Sequence, residues 1–281
     1  MGVELRLLGS VEARVDNQVL DIGHARQRCV LSVLMVEANR AVPADRLVER
    51  VWSAGTPRHA RTALSGYLSR LRRVVEPAPE VQIARRPGGY ALTVEPMAVD
   101  LHRFRTLVGH AHVAGTDERA AAYYTEALGL WQGEPFANLD TPWINGVRAT
   151  LEEERRTAEL DRNDAELRCS RHARLLPQLS AQASARPLDE RLAGQLMVAF
   201  YRCGRQAEAL ASYQQLRARL ADELGADPGL PLRRLHEQVL RSDELLAAPT
   251  AVRGPARPHR AGFPPPRGHT RCCRTARARW S

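Results

Sequence analysis

The first 22 residues alternate between apolar and polar positions, the period of two that is typical of β-strands. The alternation begins at Val3 and returns in the segments 11–15 and 19–22. Asp16-Asn17 lies between the last two segments, and this pair favours a tight turn. The pattern therefore predicts a small antiparallel sheet at the N-terminus.

A helical period replaces this alternation near Ala25 and continues to about residue 75. Asn39-Arg40 and the loop 53–57 interrupt it, so we expect three helices. Thr56 is the predicted cap of the third helix, with Pro57 in its first turn. The predicted helices span about 25–38, 44–52 and 57–75.

Two apolar segments, 81–84 and 90–94, flank a turn at 85–89 and predict a β-hairpin. Strands, three helices and a final basic hairpin follow one another in winged-helix order. We therefore predict an α+β winged-helix domain over 1–96.

The strand signals vanish after Asp100, where alanine- and leucine-rich helices begin. These predict an all-α domain over 97–246. Beyond it, proline, arginine and glycine dominate, and too few apolar residues remain to build a core. A disordered tail is therefore expected over 247–281.

The net charge of +9 is unevenly distributed along the chain. Residues 1–95 carry 14 arginines and 10 acidic residues, whereas the residues after Leu246 carry eight arginines and no acidic residue. The tail supplies most of the excess, so the overall charge is weak support for nucleic-acid binding. Support for nucleic-acid binding must therefore come from where individual arginines lie in the predicted elements.

The third predicted helix places its charges on one side. A turn of 100° per residue aligns Leu64, Leu68, Leu71 and Val75 in a core stripe. The opposite side is small, hydrogen-bonding and cationic, as a helix in a DNA major groove requires. From this side we predict that Thr62, Ser65, Ser69 and Arg70 contact bases. An alternative is a solvated arginine-rich face without DNA contacts.

Further arginines flank the base-contacting side or follow the helix. Arg61, Arg72 and Arg73 are expected to contact phosphate. Arg86 lies at the predicted hairpin turn, where an arginine would reach the minor groove or the DNA backbone.

Three segments together resemble the OmpR-type winged helix: Val51-Trp52, the run 69–73 and Gly88-Gly89-Tyr90. The resemblance implies that the third helix enters the major groove. It also implies that the loop at Trp52 and an arginine of the hairpin touch the backbone or the minor groove.

The helical part carries the spacing of tetratricopeptide repeats. Phe200, Gly204, Ala209 and Tyr213 follow the steps of four, five and four residues. The second half of the motif occurs at Gly115, Ala120, Tyr124 and Ala127, and Ser170 lies 34 residues before Gly204. A helical bundle without repeats is the alternative.

Several segments together make this part similar to the bacterial transcriptional activation domain of the Streptomyces antibiotic regulatory protein family. They are 99–104, 127–133, 196–201, 204–210 and 223–229. The resemblance implies an activator of a secondary-metabolite cluster that binds direct repeats near promoters, often as a dimer, and recruits RNA polymerase holoenzyme.

Other functional classes have weaker support in the sequence. No nucleophile–base spacing and no phosphate-binding loop are present, so we expect neither an enzyme nor a cofactor. The clustered His102, His110 and His112 favour an exposed helix over a metal site. No signal sequence or long apolar segment is seen, so a cytoplasmic, nucleoid-associated protein without membrane contact is expected. The rival function is a peptide-binding adaptor.

Overall fold

The computed structural model describes residues 2–55 and 57–246. The strands are β1 (Val3–Arg6), β2 (Glu12–Val15), β3 (Gln18–Val19), β4 (Gln82–Arg86) and β5 (Gly89–Thr93). The N-terminal helices are α1 (Ala25–Val36), α2 (Ala44–Trp52) and α3 (Ala60–Val75). The later helices are α4 (Asp100–His112), α5 (Asp117–Gly129), α6 (Pro142–Arg168), α7 (His172–Ala185), α8 (Glu190–Arg202), α9 (Gln206–Leu224) and α10 (Leu230–Leu240).

The predicted N-terminal sheet is confirmed. β1, β2 and β3 pair antiparallel in chain order. Asp16 and Asn17 form the turn between β2 and β3, with φ of 47° and 67°. Such left-handed angles are tolerated best by Asn, Asp and Gly, which explains why this pair stands there.

The three predicted helices are present, and α2 has the expected bounds. The third begins at Ala60, later than predicted, because residues 57–60 form a separate turn closed by a hydrogen bond from the Ala60 N–H to the Pro57 carbonyl. His59 precedes the helix and makes no side-chain capping bond. The predicted cap, Thr56, lies outside the described residues.

The hairpin is confirmed with a tighter turn than predicted. Arg86 pairs with Gly89, so Arg85 and Arg86 belong to β4 and only Pro87-Gly88 make the turn. The order of sheet, three helices and hairpin is that of a winged helix, and an all-helical domain follows it.

Helices of this second domain pack as sequential pairs, α4 with α5, α7 with α8 and α8 with α9. Ser170 and Gly204, 34 residues apart, both adopt left-handed backbone angles two residues before a helix begins, with φ of 59° and 74°. Tyr124 and Tyr213 are buried at the same repeat position. The predicted repeat pattern therefore corresponds to repeated turns and repeated packing.

The hydrophobic core continues across the boundary predicted at 96/97. One cluster of buried side chains runs from Leu5 through Leu101 and Phe136 to Ala165. Helix α1 is buried on all sides in its central turns. Residues from both predicted domains make up the same core. The tail predicted at 247–281 lies outside the described residues.

Candidate nucleic-acid interface

Helix α3 presents two faces of opposite character. Its apolar stripe is buried, as predicted from the sequence. On the opposite face, the four side chains predicted to contact bases are exposed: Thr62, Ser65, Ser69 and Arg70. The helix contains no acidic residue, so this face carries nothing that repels phosphate.

Gly66 lies in the middle of the exposed face. A Cβ built at this position would have no atom within 4 Å, so nothing in the described chain covers it. Small residues here leave room for the groove floor to approach the helix backbone.

Aromatic rings support α3 from beneath. Trp52 stacks on Tyr67 with ring centroids 5.9 Å apart, and His24 contacts the same tyrosine edge-on at 5.0 Å. Only 8% of Trp52 is exposed. We therefore assign Trp52 to the support of α3 and not to the DNA contact that the resemblance implied.

Arg61 lies on the exposed side at the start of α3. Its guanidinium is 2.5 Å from the Asp45 carboxylate of α2, and both side chains are largely exposed. A phosphate approaching Arg61 would compete with Asp45 for this guanidinium. The predicted phosphate contact at Arg61 thus requires a charged partner to be displaced.

Two of the three arginines near the end of α3 have no ion-pair partner among the described residues. Arg70 and Arg73 are exposed and form no ion pair within the described residues. Arg72, in contrast, donates its Nε–H to the Ile83 carbonyl at 2.8 Å. The sequence predicted DNA contacts for all three arginines of the run 69–73, but in the structure their contacts differ.

The hairpin is held close to α3 and to the segment before α2. Tyr90 and Val42 exchange two backbone hydrogen bonds of 2.9 and 2.8 Å. At Gly89 a Cβ would lie 2.0 Å from the Val42 carbonyl oxygen, so only glycine permits this approach. Arg85 and Arg86, at the far end of β4, are exposed.

Two further exposed arginines border this surface: sequence reasoning missed Arg58, and it placed Arg85 in the basic hairpin turn without assigning it a contact. Arg58 precedes α3, and Arg85 precedes the predicted contact Arg86. Neither forms an ion pair in the described part of the chain. The signal was present, because each adjoins a predicted contact element, but sequence alone does not show which charges lack a partner.

Other reactive groups in the part of the chain that the structure describes do not form a second site. Burial raises the pKa of the Cys29 thiol to about 11, so it stays protonated near neutral pH. Among the described residues, no group of three His, Cys, Asp or Glu side chains is arranged to hold a metal ion. None of the described helices has the length and apolar character needed to cross a bilayer.

Two family models match the chain. Residues 22–92 match the C-terminal domain of transcriptional regulatory proteins, and residues 99–240 match the bacterial transcriptional activator domain.

Named relatives cover the same region. The regulatory protein AfsR of Streptomyces griseus is 37% identical over 86% of this chain. The regulatory protein DnrI of Streptomyces peucetius is 32% identical over 86% of this chain and 93% of its own length. The solved structure of Mycobacterium tuberculosis EmbR in complex with a low affinity phosphopeptide has a TM-score of 0.81 and 33% identity, covering 85% of this chain and 65% of that one.

The lengths of these relatives differ. This chain spans 25% of the length of AfsR and 66% of the length of the mycobacterial EmbR regulators. The first family model matches the winged helix of the structure, and the second matches the helical domain that follows it. The chain belongs to the Streptomyces antibiotic regulatory protein family, whose members join an OmpR-type winged helix to a bacterial transcriptional activator domain.

Proposed function

We propose that this chain is a sequence-specific transcriptional activator of a secondary-metabolite cluster, acting on direct repeats near promoters in the cytoplasm, at the nucleoid. The observation that carries the proposal is the exposed, acid-free face of α3, with Thr62, Ser65, Ser69 and Arg70 side by side. Such a face offers donors to base edges, while nearby arginines neutralise phosphates.

The proposed partners beyond DNA are a second copy of the chain and RNA polymerase holoenzyme. Direct repeats place two copies head to tail on the same face of DNA when their spacing matches whole helical turns. The helical domain is the region that we expect to contact polymerase, because the winged helix is committed to the DNA. The family consists of regulators, and we propose no catalytic role.

The first experiment is genomic footprinting of the full chain. Protected direct repeats upstream of a biosynthetic cluster would support the activator and define the operator. A folded protein that protects no preferred site, but captures peptides, would favour the adaptor instead.

The base-reading assignment is tested by Arg70→Ala. We expect the ratio of specific to random DNA affinity to fall by about 5- to 150-fold, since one base contact contributes roughly 1–3 kcal/mol of discrimination. Binding is measured on the operator and on scrambled DNA at one salt concentration.

Arg174→Ala is the matched control, because Arg174 is also an exposed helical arginine but lies on α7. It should leave the ratio unchanged. Equal ratios for Arg70→Ala and the control would remove Arg70 from the set of base contacts.

A further inference from the structure

Arg72 forms a hydrogen bond with the hairpin, whereas its neighbour Arg73 forms none within the described residues. The Arg72 Nε–H donates to the Ile83 carbonyl oxygen of β4 at 2.8 Å. Its guanidinium carbon lies 6.0 Å from the ring centre of Tyr90 on β5. One side chain of α3 thus touches both strands of the hairpin.

The hairpin is fixed on its other edge by backbone contacts. Tyr90 of β5 pairs with Val42, and the Asn39 side chain binds the Val94 carbonyl at 2.9 Å and accepts the Val94 N–H at 3.1 Å. These contacts leave β4 as the outer strand, since the hairpin has two strands and β5 lies next to Val42. Within the hairpin β4 pairs with β5, so the position of β4 relative to α3 depends on this pairing, on the burial of Ile83 and on the contacts that α3 makes with β4.

The Ile83 carbonyl accepts from Arg72 on the side of β4 that faces away from β5. Arg85 and Arg86 follow on the same strand, two and three residues later. A change in the angle between β4 and α3 would displace these two arginines from any surface that α3 contacts.

We infer that Arg72 is a positioning residue, which sets the hairpin at a fixed angle to α3 so that Arg85 and Arg86 reach the DNA. This inference rests on the proposed DNA-binding function. It replaces the direct phosphate contact expected for Arg72 from the sequence. Arg73, which has no ion pair within the described residues, stays the predicted phosphate contact.

Lysine cannot take over this role. The bond to Ile83 uses the Nε–H in the middle of the planar guanidinium, whereas lysine carries one ammonium group at the end of a flexible stem. Arg72→Lys keeps the positive charge and loses the fixed geometry, so it separates the two roles.

The test is a double-mutant cycle on the full chain, with Kd for operator DNA measured at one salt concentration. Arg72→Ala is combined with the hairpin double variant Arg85→Ala/Arg86→Ala, and Arg73→Ala is the matched control. Substitutions of residues that act through a shared element change the binding free energy non-additively. Substitutions of independent contacts change the binding free energy additively.

We expect Arg72→Ala to weaken binding about tenfold in the wild-type background and to have little effect once the hairpin arginines are gone. Arg72→Lys should weaken binding as Arg72→Ala does. Arg73→Ala should weaken binding by the same factor in both backgrounds. Equal losses for Arg72→Ala in both backgrounds, or full affinity in Arg72→Lys, would overturn the inference.

Amide hydrogen exchange without DNA gives an independent measurement. Arg72→Ala should speed exchange in 82–93 and leave α1 and α2 unchanged, whereas Arg73→Ala should change neither. Unaltered exchange of the hairpin in Arg72→Ala would contradict the positioning role. If the wild-type chain prefers no DNA sequence, the proposed function fails, and the exchange result still decides whether Arg72 holds the hairpin.

Discussion

Asp100 shows how one buried side chain joins the two predicted domains. Its carboxylate accepts the backbone N–H groups of Leu7 at 2.8 Å, Leu8 at 2.9 Å and Leu101 at 2.7 Å. Burial is the main influence on this group and raises its pKa to about 6, although the three N–H donors and nearby Arg6 oppose the shift. Asp100, the first residue of α4, thus accepts hydrogen bonds from the backbone N–H groups of the segment that follows β1.

Asp100 predicts a dependence of stability on pH. Its folded-state pKa of about 6 lies above the ordinary 3.8, so the folded chain binds a proton more tightly than the unfolded chain. The contribution of Asp100 to the free energy of unfolding is therefore full below about pH 4 and is lost as the pH rises through 6, by about 3 kcal/mol at most.

The measurement is urea unfolding of the wild type and of Asp100→Asn between pH 4 and 7. The wild-type advantage over the variant should shrink as the pH rises. Asp222→Asn, an exposed position on α9, is the control and should give a constant difference. A constant difference for Asp100→Asn would contradict the raised pKa.

At the scale of elements, α3 combines a buried apolar stripe with an exposed face that contains a destabilising glycine. Gly66 stands in the interior of this helix, where glycine costs about 1 kcal/mol relative to alanine. Nothing in the described chain requires its missing Cβ, because no atom lies within 4 Å of that position. A glycine at this position leaves room for a ligand that approaches the helix backbone closely.

Gly66→Ala should therefore have opposite effects on stability and on DNA binding. We expect the free energy of unfolding to rise by about 0.5–1 kcal/mol, from the better helix propensity of alanine. We expect DNA affinity to fall, because the new methyl group stands between α3 and the groove.

Gly146→Ala is the matched control, since Gly146 also lies in an exposed helix with open space at its Cβ position. It should stabilise the chain and leave DNA binding unchanged. Thermal unfolding and operator Kd are measured for both variants. Unimpaired DNA binding by Gly66→Ala would argue against close approach at this face.

At the scale of the whole molecule, the loop between α5 and α6 is hydrogen-bonded to the segment that follows β1. The N–H groups of Gln132, Phe136 and Ala137 donate to the carbonyls of Leu8, Leu7 and Gly9 at 2.8, 2.9 and 3.0 Å. The Phe136 side chain is fully buried in the shared core. Arg148 holds the loop by donating to the carbonyls of Pro135, Phe136 and Leu139.

The shared core predicts that a substitution in the helical domain destabilises the winged helix. Phe136→Ala should lower the free energy of unfolding by about 3–5 kcal/mol, the usual cost of removing a buried phenyl group. Amide exchange in β1, α1 and α4 should rise together, because these elements pack around one cluster.

Leu216→Ala serves as the control, because Leu216 belongs to a separate cluster formed by α8, α9 and α10. Its effect should be confined to exchange in those helices. Unchanged protection of β1 in Phe136→Ala would show that the two regions are stable independently of each other.

The sequence by itself determined the elements and the family. The alternation at 3–22 and the helical stripe of α3 correspond to the structure, because both patterns arise between residues that are close in the chain. Exposure of Thr62, Ser65, Ser69 and Arg70 followed from the same helical geometry. The roles assigned to these residues on DNA remain predictions.

The tertiary structure alone decided which partners the charged and aromatic side chains take. Arg72 bonds to Ile83, Arg61 pairs with Asp45, and Trp52 lies beneath α3, although the sequence predicted all three as contacts to the DNA backbone or the minor groove. Asp100 reaches Leu7, a residue 93 positions away. Such contacts depend on how distant segments pack, and a local pattern carries no information about a partner that only packing brings near.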